Sequence, residues 1–190
     1  MSDTVEIRWH GRGGQGVVTA AKVLAEAALG GGRYVQGFSE YGPERSGAPV
    51  KGYNRISDIP IDLHTFILEP DIVVVIDDSL LGIEPVEKGL PEGGRIVINT
   101  TMTPEEAQKK LGVDNLRVYT VNATQISIDC MGRPMPNTAM IGALVKATGV
   151  LDLDEVLNDV EKKFSQKFPS KVVDGNLESI RRAYEEVTGS

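Results

Sequence analysis

A single cysteine, Cys130, stands among 190 residues. One thiol closes no internal disulfide, and by itself it holds neither an iron–sulfur cluster nor a zinc ion. It fits a reducing compartment and reads as a partly buried side chain rather than a nucleophile. Aromatic residues are also scarce, at 5%, so packing must rest on Val, Ile, Leu and Ala, and Val and Ile favour strands covered on both faces. No apolar run approaches the roughly 20 residues of a membrane helix. Met1–Val5 lacks a basic start leading into an apolar run, so no signal peptide is expected, and the expected location is cytoplasmic. Positive charge is in deficit: 20 Lys and Arg face 27 Asp and Glu, for a net charge of −7. That balance argues against a nucleic-acid partner, which needs a cationic surface to displace counterions. The basic pairs Lys162-Lys163 and Arg181-Arg182 sit among acids and read as solvated helix faces. Histidine is limited to His10 and His64, with no His-x-x-x-His pair, and no serine is flanked by glycines as a nucleophile elbow requires. No residue is therefore assigned as catalytic and none as a metal ligand.

What is present is strand and helix in alternation. Val5–Trp9 reads as a first strand and His10–Gly16 as a glycine-rich turn. Val17–Leu29 reads as a helix, with Val17, Ala21, Leu24, Ala25 and Ala28 on one face. Strands are expected at Tyr34–Phe38 and Val50–Ile56, with Ile61–Leu63 pairing back onto the second. Ile72–Ile76 is the most apolar run, as a central parallel strand should be. Asp77-Asp78-Ser79 at its end reads as the cap of a short helix; magnesium binding is the less favoured reading of the two acids. Arg95–Ile98 and Leu116–Val121 are further strands. Thr103-Pro104-Glu105-Glu106 is a helix start, with a cap, a proline and acids at the positive end of the dipole. Helices are expected over Asn137–Thr148, with a small-residue side that another backbone can approach, over Asp152–Phe168 and over Val172–Val187. The pattern predicts one domain, residues 1–190. Its fold class is α/β: a mainly parallel, Rossmann-like sheet flanked by helices, with an antiparallel excursion near residues 50–63.

Gly11-Arg12-Gly13-Gly14-Gln15-Gly16 matches G-x-G-x-x-G between a predicted strand and a predicted helix, the context that gives the pattern meaning. Missing side chains let amide groups approach an anion, and the helix start adds partial positive charge. Arg12 offers a planar cationic fork. A dinucleotide site also wants an acid after the second strand, and the nearest, Glu40, comes late and in a polar loop. The residues alone leave three readings open: a tight turn that serves packing, a phosphate-bearing ligand, and an interface using the same donors. A second constellation, Ser39–Pro49, sets Glu40, Tyr41, Glu44 and Arg45 between glycines and prolines, and reads either as an exposed loop or as a rigid recognition surface.

Together these segments resemble the gamma subunits of 2-oxoacid:acceptor oxidoreductases, in the pyruvate:ferredoxin branch. The matching stretches run from Gly11 through Gly16 to Ala21, and from Glu40 through Tyr41-Gly42-Pro43-Glu44-Arg45-Ser46-Gly47-Ala48-Pro49 to Val50. Glu-Arg-x-Gly-Ala-Pro-Val is similar to the pyruvate and branched-chain oxoacid branch, whereas the 2-oxoglutarate branch more often has Arg-Gly-Gly. Ser46 stands where many relatives carry a second arginine. Arg55-Ile56-Ser57 and Pro136-Asn137-Thr138 are also similar to the family. The resemblance implies a non-catalytic subunit of an enzyme that converts pyruvate, coenzyme A and oxidised ferredoxin to acetyl-CoA, CO2 and reduced ferredoxin. It implies alpha, beta and ferredoxin-like delta subunits as partners, ferredoxin reached through the complex, and thiamine diphosphate, magnesium and iron–sulfur clusters held by those partners. Gly11, Arg12, Gly13, Gly14, Gln15 and Gly16 would then meet coenzyme A phosphates, and Tyr41, Gly42, Pro43, Glu44 and Arg45 would face a partner subunit. A gamma subunit for 2-oxoisovalerate or another oxoacid, and a stand-alone nucleotide-binding dehydrogenase, are the alternatives.

Overall fold

The computed structural model describes residues 4–40, 47–63 and 65–189. Seven strands form one sheet: β1 (Thr4–Arg12), β2 (Tyr34–Glu40), β3 (Pro49–Ser57), β4 (Ile72–Val75), β5 (Arg95–Asn99), β6 (Arg117–Val121) and β7 (Thr188–Gly189). Among the described residues six α-helices accompany them: α1 (Val17–Gly30), α2 (Pro104–Leu111), α3 (Ala123–Met131), α4 (Asn137–Thr148), α5 (Leu153–Phe164) and α6 (Ser170–Glu186). The spatial order is β2-β3-β1-β4-β5-β6-β7. β1, β4, β5 and β6 are parallel neighbours, while β3 runs antiparallel between β1 and β2. The excursion is thus β2–β3, and Ile61–Leu63 is not a strand. The physical reason is that β3 already bonds β1 along one edge and β2 along the other, which leaves no free ladder for a third partner.

Side chains alternate across the sheet as a period of two requires. Ile72 and Val74 of β4 and Val97 of β5 join a large core under α1, α4, α5 and α6. Val73, Val75, Ile96 and Ile98 point to the opposite face, where Leu80, Leu81, Val86 and Ala107 cover them. One face therefore carries a thick helical layer and the other only α2 and the segment after β4. Trp9 is fully buried in the thick layer, and its indole N–H donates to Asn54 Oδ1 at 2.8 Å while Asn54 Nδ2 donates to the Ala21 carbonyl at 2.9 Å. This satisfies polar groups that would be costly to bury unpaired.

Helix starts follow their local chemistry. Thr103 and Glu106 form a reciprocal capping box at α2, with Pro104 inside the first turn. Asp152 accepts from the amides of Asp154 and Glu155 at α5. The small-residue side expected of α4 is where α6 crosses it: a Cβ at Gly142 would collide with the Ile180 backbone carbonyl. Helix α3, strand β7 and the continuation of β1 through His10, Gly11 and Arg12 are additions to the expected elements.

Candidate functional site

The glycine turn leaves β1 at the carboxyl edge of the sheet and enters α1. Gly14 has φ +93° and Gly16 has φ +80°, left-handed backbone that favours glycine. Gly11 serves packing instead, since a Cβ there would lie 2.5 Å from Val17 Cγ2. The Arg12 amide donates to Gln15 Oε1 at 2.7 Å, the Gln15 amide to the Arg12 carbonyl at 3.1 Å, and the Gly13 amide to the Ala48 carbonyl at 2.9 Å. Three of the turn's amides thus hold the turn itself. The amides of Gly14 and Gly16 have no acceptor among the described residues, and the first amides of α1 have no carbonyl one turn back to bond.

Side chains clamp this turn to the end of β4. Gln15 Nε2 donates to Asp77 Oδ2 at 2.6 Å. The Arg12 guanidinium donates to Ser79 Oγ at 3.0 and 3.1 Å and to the Gly47 carbonyl at 3.1 Å, and its Nε lies 3.4 Å from Asp77 Oδ2. Its fork is therefore committed inside the protein, and it braces the turn rather than standing free for a ligand. Burial raises the Asp77 carboxyl, but hydrogen bonds from Ser79 and Gln15 and the charge of Arg12 outweigh that and hold it below the usual carboxylate range. Asp77 also caps the short 3-10 turn Asp78–Leu80 by accepting the Ser79 amide. Thr100 donates to Asp78 Oδ2 at 2.7 Å, and Asn99 donates to the Ile76 carbonyl and Thr124 Oγ1, both at 2.8 Å. Asn99, Thr100 and Thr124 are not singled out in the sequence analysis; the end of the expected strand Arg95–Ile98 is the signal for Asn99 and Thr100, and Thr124 has none because α3 is not expected.

The turn lies at the reversal point of the sheet. The chain leaves β1 for the thick layer and leaves β4 for the thin one, and a crevice opens where such connections part. The dinucleotide variant of this site is not reproduced. β3 is inserted between β1 and β2, which puts the tip of β2 about 10 Å, two strand spacings, from the turn. Glu40 at that tip accepts the Tyr53 hydroxyl at 2.8 Å. Burial and this bond together raise the Tyr53 pKa.

His10 is 3% exposed, its Nε2 accepts from Arg8 Nε at 2.9 Å, and burial followed by the charges of Arg8 and Lys51 pushes its pKa down to about 3. It is neutral at physiological pH. Among the described residues no group of three or more His, Cys, Asp or Glu side chains is gathered closely enough to hold a metal ion. Cys130, on α3, is half-buried, and no partner thiol exists in the sequence. Among the described residues no helix is long and apolar enough to cross a membrane. Tyr41, Gly42, Pro43, Glu44, Arg45 and Ser46, like His64, lie outside the described residues.

These features define an α/β domain with a braced, donor-bearing glycine turn at its reversal point. The chain belongs to the pyruvate ferredoxin/flavodoxin oxidoreductase family, whose model matches residues 6–186. It is 48% identical over 182 residues to pyruvate synthase subunit PorC of Thermotoga maritima, covering 96% of this chain and 94% of that one. It is 46% identical over 181 residues to the pyruvate/ketoisovalerate oxidoreductases common subunit gamma of Thermococcus litoralis, covering 95% of this chain and 96% of that one. The crystal structure of the Thermotoga maritima pyruvate oxidoreductase subunit PORC superposes with a TM-score of 0.88 at 45% identity, covering 100% of this chain and 99% of that one.

Proposed function

We propose that this chain is the gamma subunit of a pyruvate:ferredoxin oxidoreductase, built into a complex with alpha, beta and ferredoxin-like delta subunits. The observation that carries this reading is the 48% identity to a pyruvate synthase subunit across nearly the full length of both chains. The complex takes pyruvate, coenzyme A and oxidised ferredoxin to acetyl-CoA, CO2 and reduced ferredoxin. Thiamine diphosphate with magnesium would supply the carbanion chemistry and iron–sulfur clusters the electron path, all from partner subunits. One cysteine does not suit this chain to a cluster. Its own part is to shape a surface and present amide donors. The loop Tyr41-Gly42-Pro43-Glu44-Arg45 faces a partner subunit, and the turn Gly11–Gly16 receives phosphate oxygens of coenzyme A. The open amides of Gly14 and Gly16 support the second assignment; Arg12 and Gln15 contribute by holding the turn.

The test is kinetic. Gly14→Val in the assembled enzyme forces a branched side chain onto left-handed backbone with open space around it, so the turn distorts while the core is untouched. The KM for coenzyme A should rise about ten-fold, with the KM for pyruvate unchanged. An unchanged coenzyme A KM in a well-assembled variant removes the turn from coenzyme A binding. Arg45→Glu should weaken co-purification of the partner subunits, and undiminished assembly would dismiss the loop as an interface.

A second reading has its own support. The Thermococcus litoralis relative is described as common to pyruvate and ketoisovalerate enzymes, so this chain would serve both oxoacids. Purifying it from its own cells and assaying each oxoacid on the resolved complexes decides between one enzyme and two.

A further inference from the structure

The end of the sheet opposite the glycine turn carries a pair of charges with no counterpart. Arg95 opens β5 and Arg117 opens β6, and the two stand in register on parallel strands. In-register residues of neighbouring strands leave the same face about 4.8 Å apart, so the two side chains depart next to each other. That face is the thick one. Ile72 is in register with Arg95 on β4, Tyr119 lies one period beyond Arg117 on β6, and both pack into the large core.

Neither guanidinium has a hydrogen bond or an ion pair among the described residues. Arg95 Nε is in addition buried, and it is the one buried side-chain nitrogen or oxygen among the described residues that lacks a partner. Buried donors are normally paired, and an orphan carries the desolvation cost of its N–H. Like charges set side by side on one face repel as well. An arginine stem can lie along apolar surface while its head reaches water, but that reading leaves the Nε unanswered and gives no reason for a second cation beside it. Nor does the ladder supply an acid. Asp71 accepts the Arg95 amide on its carbonyl at 3.4 Å and turns its carboxylate to the Glu6 amide of β1, at 2.8 Å. In a chain with 27 acids against 20 Lys and Arg, two adjacent cations without a carboxylate are an exception.

The structure assigns Arg95 and Arg117 to a carboxylate-binding fork at the amino-terminal edge of β5 and β6. Arg95 donates from Nε and a terminal nitrogen, the side-on pair that meets both oxygens of a carboxylate, and the exposed Arg117 closes on the same group from the solvent side. A small carboxylate and an acidic side chain of a neighbouring subunit offer the same chemistry. The fork lies at the far end of the strands from Gly11–Gly16 and does not depend on the coenzyme A reading of that turn.

The experiment titrates sodium acetate into the full chain, against sodium chloride at matched ionic strength, and follows the Nε–H resonances of Arg95 and Arg117. In the parent both should shift together and saturate. Arg117→Gln keeps Arg95 and should bind acetate about ten-fold more weakly, through loss of one charge-assisted contact. Arg95→Met keeps an apolar stem and should leave the Arg117 resonance without saturation. Parent resonances that follow acetate no more than chloride overturn the site whether or not the variants fold, as does parent-like affinity in a folded Arg95→Met. The source of the carboxylate is read on the assembled complex. If a partner subunit supplies it, acetate at matched ionic strength should loosen assembly of the parent and not of Arg95→Met. Assembly indifferent to acetate, with the free chain binding it as described, assigns the fork to a small carboxylate.

Discussion

His10 carries the clearest consequence of a single buried group. Its imidazole is buried and accepts from Arg8 Nε, and burial, with Arg8 and Lys51 nearby, lowers its pKa from 6.5 to about 3. The folded protein therefore refuses a proton that the unfolded chain accepts below about pH 6.5. This contribution to stability is complete above that pH and falls away as the pH drops toward 3. His10→Gln keeps an acceptor for Arg8 and removes the titration. Urea unfolding at a series of pH values should show a shallower loss of stability between pH 6.5 and 4 in the variant than in the parent; parallel profiles would mean that His10 is protonated in the native state. Asn54 makes a second test at this scale. Asn54→Leu strands the Trp9 indole N–H in the core and should cost about 1–3 kcal/mol by chemical denaturation.

Among the elements, α4 is the most constrained, buried along nearly its whole length from Asn137 to Val145. Gly142 sits where α6 crosses, with the Ile180 carbonyl in the space a side chain would occupy. Gly142→Ala improves helix propensity but forces two packed helices apart, so the net effect should be a loss of about 1–3 kcal/mol, seen as a lowered Tm. A variant at parent stability would mean the helices separate freely. This close approach was legible beforehand, because Ala139, Gly142, Ala143 and Ala147 fall on one helical side. The glycine turn was legible for the same local reason: left-handed backbone at Gly14 and Gly16 is a demand that only a few residue types meet. Helix α3 was not. Its Ala-Thr-Gln-Ile-Ser-Ile-Asp-Cys-Met run has mixed propensity, and its boundary signals, Asn122 before and Gly132 after, are single residues. Ile61–Leu63 misled because alternation speaks to a strand's faces and is silent about whether a neighbouring edge is vacant.

At the scale of the whole molecule, the described side chains around the turn serve as donors and braces. Arg12, Gln15, Asp77 and Ser79 fix a turn, the sheet edge fixes those four, and the adjoining His10 is buried with its pKa pushed down. The isolated chain should therefore oxidise no 2-oxoacid with a low-potential dye as acceptor, and activity should appear only when the partner subunits are added back. Turnover by the purified chain alone would reverse the division of labour proposed for it. Saturable NAD(H) binding by calorimetry would favour the stand-alone dehydrogenase, which the separation of Glu40 from the turn opposes.

The placement of β3 also bears on how the chain is made. Thr4 pairs with Ser57 and Arg12 with Pro49, and β2 closes on the same strand from its other side. A nascent chain thus has three strands and their helix available for mutual pairing once residue 57 has cleared the ribosome, before any of the remaining parallel strands is complete. Growth then proceeds outward from β1 in one direction only, β4, β5 and β6 being laid down in the order of translation. Antiparallel neighbours close early and parallel ones later, so the amino-terminal third is the platform on which the rest of this protein is assembled.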